Sequence, residues 1–153
     1  MCVSKCTFLL NTYGDPITRK CVLSCQYDHF ADPTTRLCST SCNATAQLYK
    51  DPSTRRCVFI CPSMPDLYND PSTMTCVAAC NSAAYPYRYA YQTIRKCVDM
   101  CPASPVYFAD EQAKKCVTRC ANGTYRFVNN TYRGCLSYCP LQIFNATINL
   151  TLY

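Results

Sequence analysis

The chain has 153 residues, 16 of them cysteine, with a net charge of +6, no tryptophan, one histidine and 3 glycines. Cysteine at about one residue in ten marks a disulfide scaffold, and so few glycines exclude a collagen or glycine-rich elastic fibre. Charged residues at 16% are too dilute for a nucleic-acid groove, and no apolar run is long enough to span a membrane.

The cysteines fall into eight Cys-x-x-x-Cys pairs: Cys2/Cys6, Cys21/Cys25, Cys38/Cys42, Cys57/Cys61, Cys76/Cys80, Cys97/Cys101, Cys116/Cys120 and Cys135/Cys139. Thiols in this number persist as disulfides only in an oxidising compartment, so the expected location is extracellular or at the cell surface. Five Asn-x-Ser/Thr sequons, at Asn43, Asn122, Asn129, Asn145 and Asn149, agree with secretion and with N-linked glycans. Met1-Cys2-Val3-Ser4-Lys5-Cys6 begins inside a repeat, which predicts that residue 1 is a processed or truncated N-terminus.

Successive pairs start 19, 17, 19, 19, 21, 19 and 19 residues apart. An aromatic stands eight residues before the first cysteine of every pair after the first: Tyr13, Phe30, Tyr49, Tyr68, Tyr89, Phe108 and Phe127. Both length changes are of two residues, which keeps later side chains on their original strand face and favours β-structure over helix. After the aromatic come Asp15-Pro16, Asp32-Pro33, Asp51-Pro52 and Asp70-Pro71, the chemistry of a type I turn. A valine or leucine follows the next cysteine in every unit but one (Val22, Val58, Val77, Val98, Val117, Leu136; Ser39 is the exception). With a four-residue turn, aromatic and valine become diagonal cross-strand neighbours, worth ~0.2–1 kcal/mol. The turn Asp and the following Arg (Arg19, Arg36, Arg55) are expected to sit near each other but exposed, contributing little.

Each unit therefore reads as a short β-hairpin with a miniature apolar contact, and the disulfides dominate: closing a loop of ~15 residues contributes ~3 kcal/mol in the chain-entropy picture. The predicted fold is small and disulfide-rich: a linear array of seven hairpin modules of about 19 residues without a large core, forming an elongated rod. Residues 1–140 carry the tandem repeats, and residues 141–153 form a C-terminal β-strand tail.

The phrase Cys57-Val-Phe-Ile-Cys61-Pro…Tyr68…Cys76-Val-Ala-Ala-Cys80 resembles the furin-like, growth-factor-receptor type of cysteine-rich repeat. The Asp-Pro-x-Thr-Arg turns resemble those of the long Cys-x-x-x-Cys arrays in surface proteins of ciliated protists. The resemblance covers residues 2–140 and implies single-disulfide modules stacked into a rod, the second cysteine of one pair joined to the first of the next. That pairing agrees with a hairpin whose two cysteines bracket its turn. It gives Cys6–Cys21, Cys25–Cys38, Cys42–Cys57, Cys61–Cys76, Cys80–Cys97, Cys101–Cys116 and Cys120–Cys135, and leaves Cys2 and Cys139 to bond outside the chain.

No constellation for catalysis stands out. His29 beside Asp28 lacks a nucleophile motif and reads as a stem residue, and the Asp residues recur because the turn recurs. The cysteine spacing is not that of a zinc knuckle, so no metal or cofactor is expected. The basic pairs Arg19-Lys20, Arg55-Arg56, Arg95-Lys96 and Lys114-Lys115 form either a solvated edge that blocks stray strand pairing or a ladder for anionic polysaccharide. Tyr85, Tyr87, Tyr89 and Tyr91 alternate along one strand face and are expected to form an exposed sticky patch or an interface. Asn129 fills the slot of the turn Asp, which places its sequon at a hairpin tip. Thr34, Thr35, Ser53 and Thr54 are weaker candidates for O-linked sugar.

In the tail, Phe144, Ala146, Ile148, Leu150 and Leu152 alternate with polar residues and Tyr153, a strand with one apolar face. That face is expected to pair with later residues or to add as a strand to a neighbouring subunit, with Cys139 and Cys2 of successive copies forming an eighth bridge. The expected function is a structural extracellular protein, a glycosylated rod that builds a surface coat or a head-to-tail fibre. The other reading is the cysteine-rich stalk or ligand-binding arm of a growth-factor-receptor-like surface protein. An exposed inhibitory loop of the protease-inhibitor kind is not singled out.

Overall fold

The computed structural model describes Cys6 and residues 11–80, 88–129 and 132–138. The expected tail strand (Phe144, Ile148, Leu150, Leu152), Cys2, Cys139, Asn145, Asn149, Tyr85 and Tyr87 lie outside the described residues. Seven hairpins follow one another: β1 (Tyr13–Asp15) with β2 (Lys20–Val22), β3 (Phe30–Asp32) with β4 (Leu37–Ser39), β5 (Tyr49–Asp51) with β6 (Arg56–Val58), β7 (Tyr68–Asp70) with β8 (Thr75–Val77), β9 (Tyr89–Tyr91) with β10 (Lys96–Val98), β11 (Phe108–Asp110) with β12 (Lys115–Val117), and β13 (Tyr125–Val128) with β14 (Arg133–Leu136). A 3-10 turn, Gln92–Ile94, joins the strands of the fifth hairpin, and no α-helix occurs among the described residues.

Disulfides join Cys6–Cys21, Cys25–Cys38, Cys42–Cys57, Cys61–Cys76, Cys80–Cys97, Cys101–Cys116 and Cys120–Cys135, one bracketing each hairpin. All fourteen strands belong to one open sheet in the order β13-β14-β11-β12-β9-β10-β7-β8-β5-β6-β3-β4-β1-β2. Strands are antiparallel within a hairpin. Between hairpins, the first strand of one unit lies parallel to the second strand of the next, as where Gly14 partners Leu37. At ~4.8 Å per strand, fourteen strands extend about 67 Å. The array is therefore a ribbon, long across its strands and only three or four residues wide along them.

The turn departs from the simple reading. In the first unit Asp15 pairs with Lys20, and the loop Pro16–Arg19 closes with Arg19 N–H donating to the Asp15 carbonyl at 2.8 Å. Arg19 takes a left-handed conformation (φ 55°), and Arg36, Arg55, Met74, Arg95 and Lys114 repeat it. This added residue brings Tyr13 directly opposite Val22 rather than diagonal to it.

The turn aspartates are not exposed partners of the following Arg: Asp15, Asp32, Asp51 and Asp70 are buried. Asp51 Oδ1 accepts from the Ser53 N–H (2.9 Å) and hydroxyl (2.6 Å), and its Oδ2 accepts from the Thr54 hydroxyl (2.6 Å). Carboxylate and donors belong to the same five-residue loop, so each turn satisfies its own buried charge.

The expected miniature contact inside the hairpin is present, with Val22, Val58, Val77 and Val98 packed against the clusters of Tyr13, Tyr49, Tyr68 and Tyr89, but each ring also reaches the next unit. Tyr13 packs on Cys25, Ala31 and Cys38 of the second unit; Tyr49 on Cys61 and Cys76 of the fourth; Tyr68 on Cys80, Ala90 and Cys97 of the fifth. Phe30 covers Cys42 and Cys57, and Tyr89 meets Ala109 and Cys116. The ring of one unit thus seals the disulfide of the next. Because Gly14 partners Leu37, Tyr13 and Cys38, each one step away, share the opposite face. Ala31 opposes Cys38 and partners Arg56, so Phe30 and Cys57 point the other way. The small cores therefore alternate between the two faces of the sheet.

Candidate functional site

The feature this chain builds repeatedly is the joint between units, and it starts from the left-handed turn residue. That conformation swings the carbonyl out of the hairpin toward the preceding unit. Gly14, Ala31, Lys50, Asn69 and Ala90 donate their N–H to the carbonyls of Arg36, Arg55, Met74, Arg95 and Lys114, at 2.8–2.9 Å. A glycine would take this φ more cheaply, but the long side chain does work of its own. The Arg36 guanidinium lies 5.0 Å above the Tyr13 ring and that of Arg95 lies 5.6 Å above Tyr68. Arg95 also donates to the carbonyls of Cys61 (3.1 Å), Pro62 (2.6 Å) and Leu67 (2.6 Å), and pairs with Asp66 at 3.0 Å. Arg55 donates to the Tyr27 carbonyl. Where Met74 replaces the cation, its apolar side chain packs against the Tyr49 cluster instead. Lys50 over Phe30 (5.9 Å) and Arg126 over Phe108 (5.3 Å) supply cations from the first strand of the next unit, two strands away.

The basic ladder is accordingly divided. Arg55 and Arg95 are engaged in joints, while Lys20, Arg56 and Lys115 remain exposed on the second strands and Lys96 is half-buried.

A second arrangement joins three units. Glu111, in the sixth unit, accepts hydrogen bonds from the hydroxyls of Tyr89 in the fifth and Tyr132 in the seventh (3.3 Å), and pairs with Lys114 at 2.7 Å. Burial raises the Glu111 carboxyl, but the bonds from Lys114, Tyr89 and Tyr132 outweigh it and the net direction is down. Tyr89 is pushed far up by burial and by its bond to Glu111, and Tyr132 is raised by burial and the Glu111 charge. Tyr91 meets Tyr107 edge-on, with centroids 5.1 Å apart. The tyrosine row is therefore not an exposed patch where it is described: Tyr89 and Tyr91 are buried, because each joint offers two units' worth of surface to a ring.

The seventh unit corrects the sequence register. Tyr125, not Phe127, stands opposite the residue after the cysteine, Leu136. The hairpin is one residue pair longer, and Asn129 Oδ1 accepts the Tyr132 N–H at 2.6 Å. Asn129 remains at an exposed tip, but Phe127 occupies the slot that Asp holds elsewhere. The signal was present, because Tyr125 follows Cys120 by the same five residues as Phe30 follows Cys25.

Among the other sequons, Asn122 is exposed, while half-buried Asn43 accepts the Ala46 N–H at 3.2 Å. Thr34, Ser53 and Thr54 direct their hydroxyls at turn carboxylates. His29 Nδ1 lies 3.3 Å from the Asp28 carboxylate. Among the described residues no cluster of metal-ligating side chains occurs and no helix is long and apolar enough to cross a membrane. No protein-family model, no curated protein and no solved structure matches this chain. The structure by itself defines the class, a disulfide-rich repeat array of hairpins whose cysteine chemistry is that of a secreted or extracellular protein.

Proposed function

We propose that this chain is a structural protein of the cell exterior: a glycosylated, disulfide-stapled rod that builds a surface coat or polymerises head to tail into an extracellular fibre. The observation that supports this reading most is the joint itself, repeated from unit to unit with the same parallel register, so that buried surface is spent on linear continuation. Units that contact mainly their neighbours form a quasi-one-dimensional body whose length is set by copy number. In this reading the partner is another copy of the chain, and the role is not enzymatic and needs no resident cofactor. N-linked glycans occupy Asn43, Asn122, Asn129, Asn145 and Asn149, and the tail strand of Phe144, Ile148, Leu150 and Leu152 contributes to assembly. Exposed Lys20, Arg56 and Lys115 give anionic polysaccharide a weaker foothold.

The irregular end, where Tyr89, Glu111 and Tyr132 tie three units together, favours the second reading, a receptor-like stalk or ligand-binding arm. Negative-stain imaging of the glycosylated chain, secreted and kept oxidised, separates the two. Filaments or lattices support the structural reading. Isolated rods about 67 Å long at every concentration overturn it in favour of the stalk.

A further inference from the structure

Resting on the reading of this chain as a structural protein whose partner is another copy of itself, we propose that two ribbons pair face to face. They meet through the face that carries the Cys25–Cys38, Cys61–Cys76 and Cys101–Cys116 bridges and leave the opposite face to the glycans.

The register assigns every loop to a face. Cross-strand partners point the same way and successive residues point opposite ways. Followed from Gly14–Leu37 through Ala31–Arg56, Lys50–Thr75, Asn69–Lys96, Ala90–Lys115 and Asp110–Cys135, it puts Cys38, Cys76 and Cys116 on one face and Cys21, Cys57, Cys97 and Cys135 on the other. Each bridge ties the loop of its own unit down onto the sheet. The loops of units two, four and six therefore cover the first face, and those of units three and seven cover the second. Packing agrees: Leu67 lies with Tyr49 and Tyr107 with Tyr89 on the first face, and Leu48 lies with Phe30 on the second. The linker at residues 59–61 is pinned to the first face directly. There the Asn69 side chain accepts the Cys61 N–H at 2.8 Å and donates to the Phe59 carbonyl at 2.8 Å.

The two sets of segments differ in what they show to solvent. On the loops of the first face and the linkers that lead onto it, Leu23, Tyr27, Phe59, Ile60, Met64 and Met100 are between 60% and 90% exposed. They recur with every second unit, four strands or about 19 Å apart. Among the described residues, the matching segments of the second face (40–41, 43–48, 78–79, 118–119 and 121–124) expose no large apolar side chain. Leu37 and Val128, exposed on the second face, stand singly towards the two ends of the array, and Ile17 and Ile94 sit on turns. The sequons Asn43 and Asn122 lie in second-face loops, whereas the first-face loops contain none. An exposed apolar row rimmed by polar residues marks an interaction surface, and bulky sugars on one side direct a partner to the other.

Size, period and charge of this face fit a second copy. A face about 67 Å long and ~12 Å wide offers about 800 Å² per copy, the size of a standard interface. The apolar groups meet a partner at every step only if it repeats at the same ~19 Å, as another ribbon does. Two sheets stay in contact along fourteen strands only if both carry the same twist, which identical ribbons do. A two-fold pair brings one patch against itself, so the patch must carry both signs of charge. Lys20 and Arg56 are exposed on the strands of the first face, and Asp28 and Asp99 on its loop and linker. The second-face loops at 43–48 and 121–124 carry no charge.

The test uses the full chain, secreted and kept oxidised, in sedimentation equilibrium and small-angle scattering. The expected result is a doubled mass and a thicker cross-section at the length of one ribbon, about 67 Å. Phe59→Gln together with Met64→Gln, at exposed positions, should raise the dissociation constant at least about tenfold. Leu37→Gln, on the second face, should leave it unchanged, as should enzymatic removal of the glycans. If the first pair of substitutions disturbs the disulfide map, Leu23→Gln with Tyr27→Gln probes the same face. Pairing that withstands the first-face substitutions, or that is lost with the glycans, overturns the proposal. Chains that stay single and bind phosphatidylcholine–phosphatidylserine vesicles through the same side chains overturn it in favour of a lipid surface. Filaments of single-ribbon thickness, unaffected by these substitutions, overturn it and leave the structural reading standing. Face-to-face pairs that never extend into filaments or lattices support it and defeat that reading. Single chains at every concentration defeat both.

Discussion

The first four units and the last three solve the same problem with different reach. In units one to four a buried Asp satisfies the turn from within, and the ring–disulfide contact involves one neighbour at a time. In units five to seven Tyr91 takes the Asp slot, Glu111 takes the Pro slot and the last hairpin lengthens. There Tyr89, Glu111 and Tyr132 bind across two joints. Regular units should therefore fail one by one, whereas the irregular end should fail as a group. A chain whose joints are independent loses stability locally, whereas one carboxylate shared by both neighbouring units couples three hairpins into one cooperative block.

The largest effect that would break this contrast is loss of a disulfide. Replacing Cys61 and Cys76 by Ser opens a loop of 15 residues and should cost about 3 kcal/mol. Hydrogen exchange should rise in the fourth unit and its two neighbours while the first unit stays protected. Uniform loss of protection along the chain would show that the regular units are not independent.

The two structural glycines differ in the same sense. A methyl group at Gly134 would overlap the Tyr132 ring, which bonds Glu111, so Gly134→Ala should destabilise by about 2 kcal/mol. A Cβ at Gly14 crowds the Leu37 side chain at 2.9 Å, which can swing aside, and touches the Arg36 carbonyl and Cys6 sulfur at an ordinary 3.8 Å, so Gly14→Ala should cost less than about 1 kcal/mol. Thermal unfolding of both variants measures the difference, and equal losses would remove the special role of the Tyr132 contact.

Arg95 sharpens the boundary between the regions, because it clasps the fourth unit from the fifth. Arg95→Met, which imitates Met74, should lose about 1.5 kcal/mol, since three carbonyls and Asp66 lose a charged partner. A neutral result would mean that packing alone holds this joint.

The smallest effects are those of pH, and the response to alkali rather than to acid tells one end of the array from the other. Asp15 is lowered by the Thr18 hydroxyl and the Ile17 N–H. Asp51 is raised by burial but lowered more by Ser53 and Thr54. Carboxyls held low stabilise the fold above their unfolded value near 4, and that contribution is lost as pH falls through the folded value. Acid should therefore loosen the regular turns, and also the joint between the fourth and fifth units and the Glu111 cluster, where Asp66 and Glu111 are held low as well. Tyr68, Tyr89 and Tyr132 are raised, so above pH 10 the unfolded chain ionises first and stability falls as pH rises. Alkali should open units four to seven before units one to three, as read by residue-resolved exchange.

Much of the array was legible in the sequence. Cysteine spacing, even-numbered length changes and Asp-Pro turns specify hairpins bracketed by cysteines, because loop closure and turn chemistry act over fewer than twenty residues. The register of the seventh unit was misread because Phe127 and Tyr125 both suit a strand, and only pairing with Leu136 chooses between them. The basic ladder was only half visible, since nothing local distinguishes the engaged Arg95 from the exposed Lys20.

What the sequence by itself determined is the unit: where it starts, how it turns and which compartment its chemistry requires. Only the tertiary structure decided where the buried surface goes. The rings of the first five hairpins, too exposed on their own three-residue strands, seat on the next unit's disulfide, and the left-handed carbonyl supplies the bond that aligns the two. The hairpin is a local property of one stretch of chain. The joint needs two stretches with matching edges, so its geometry emerges only when units stand side by side and alternate their cores between the two faces of a shared sheet.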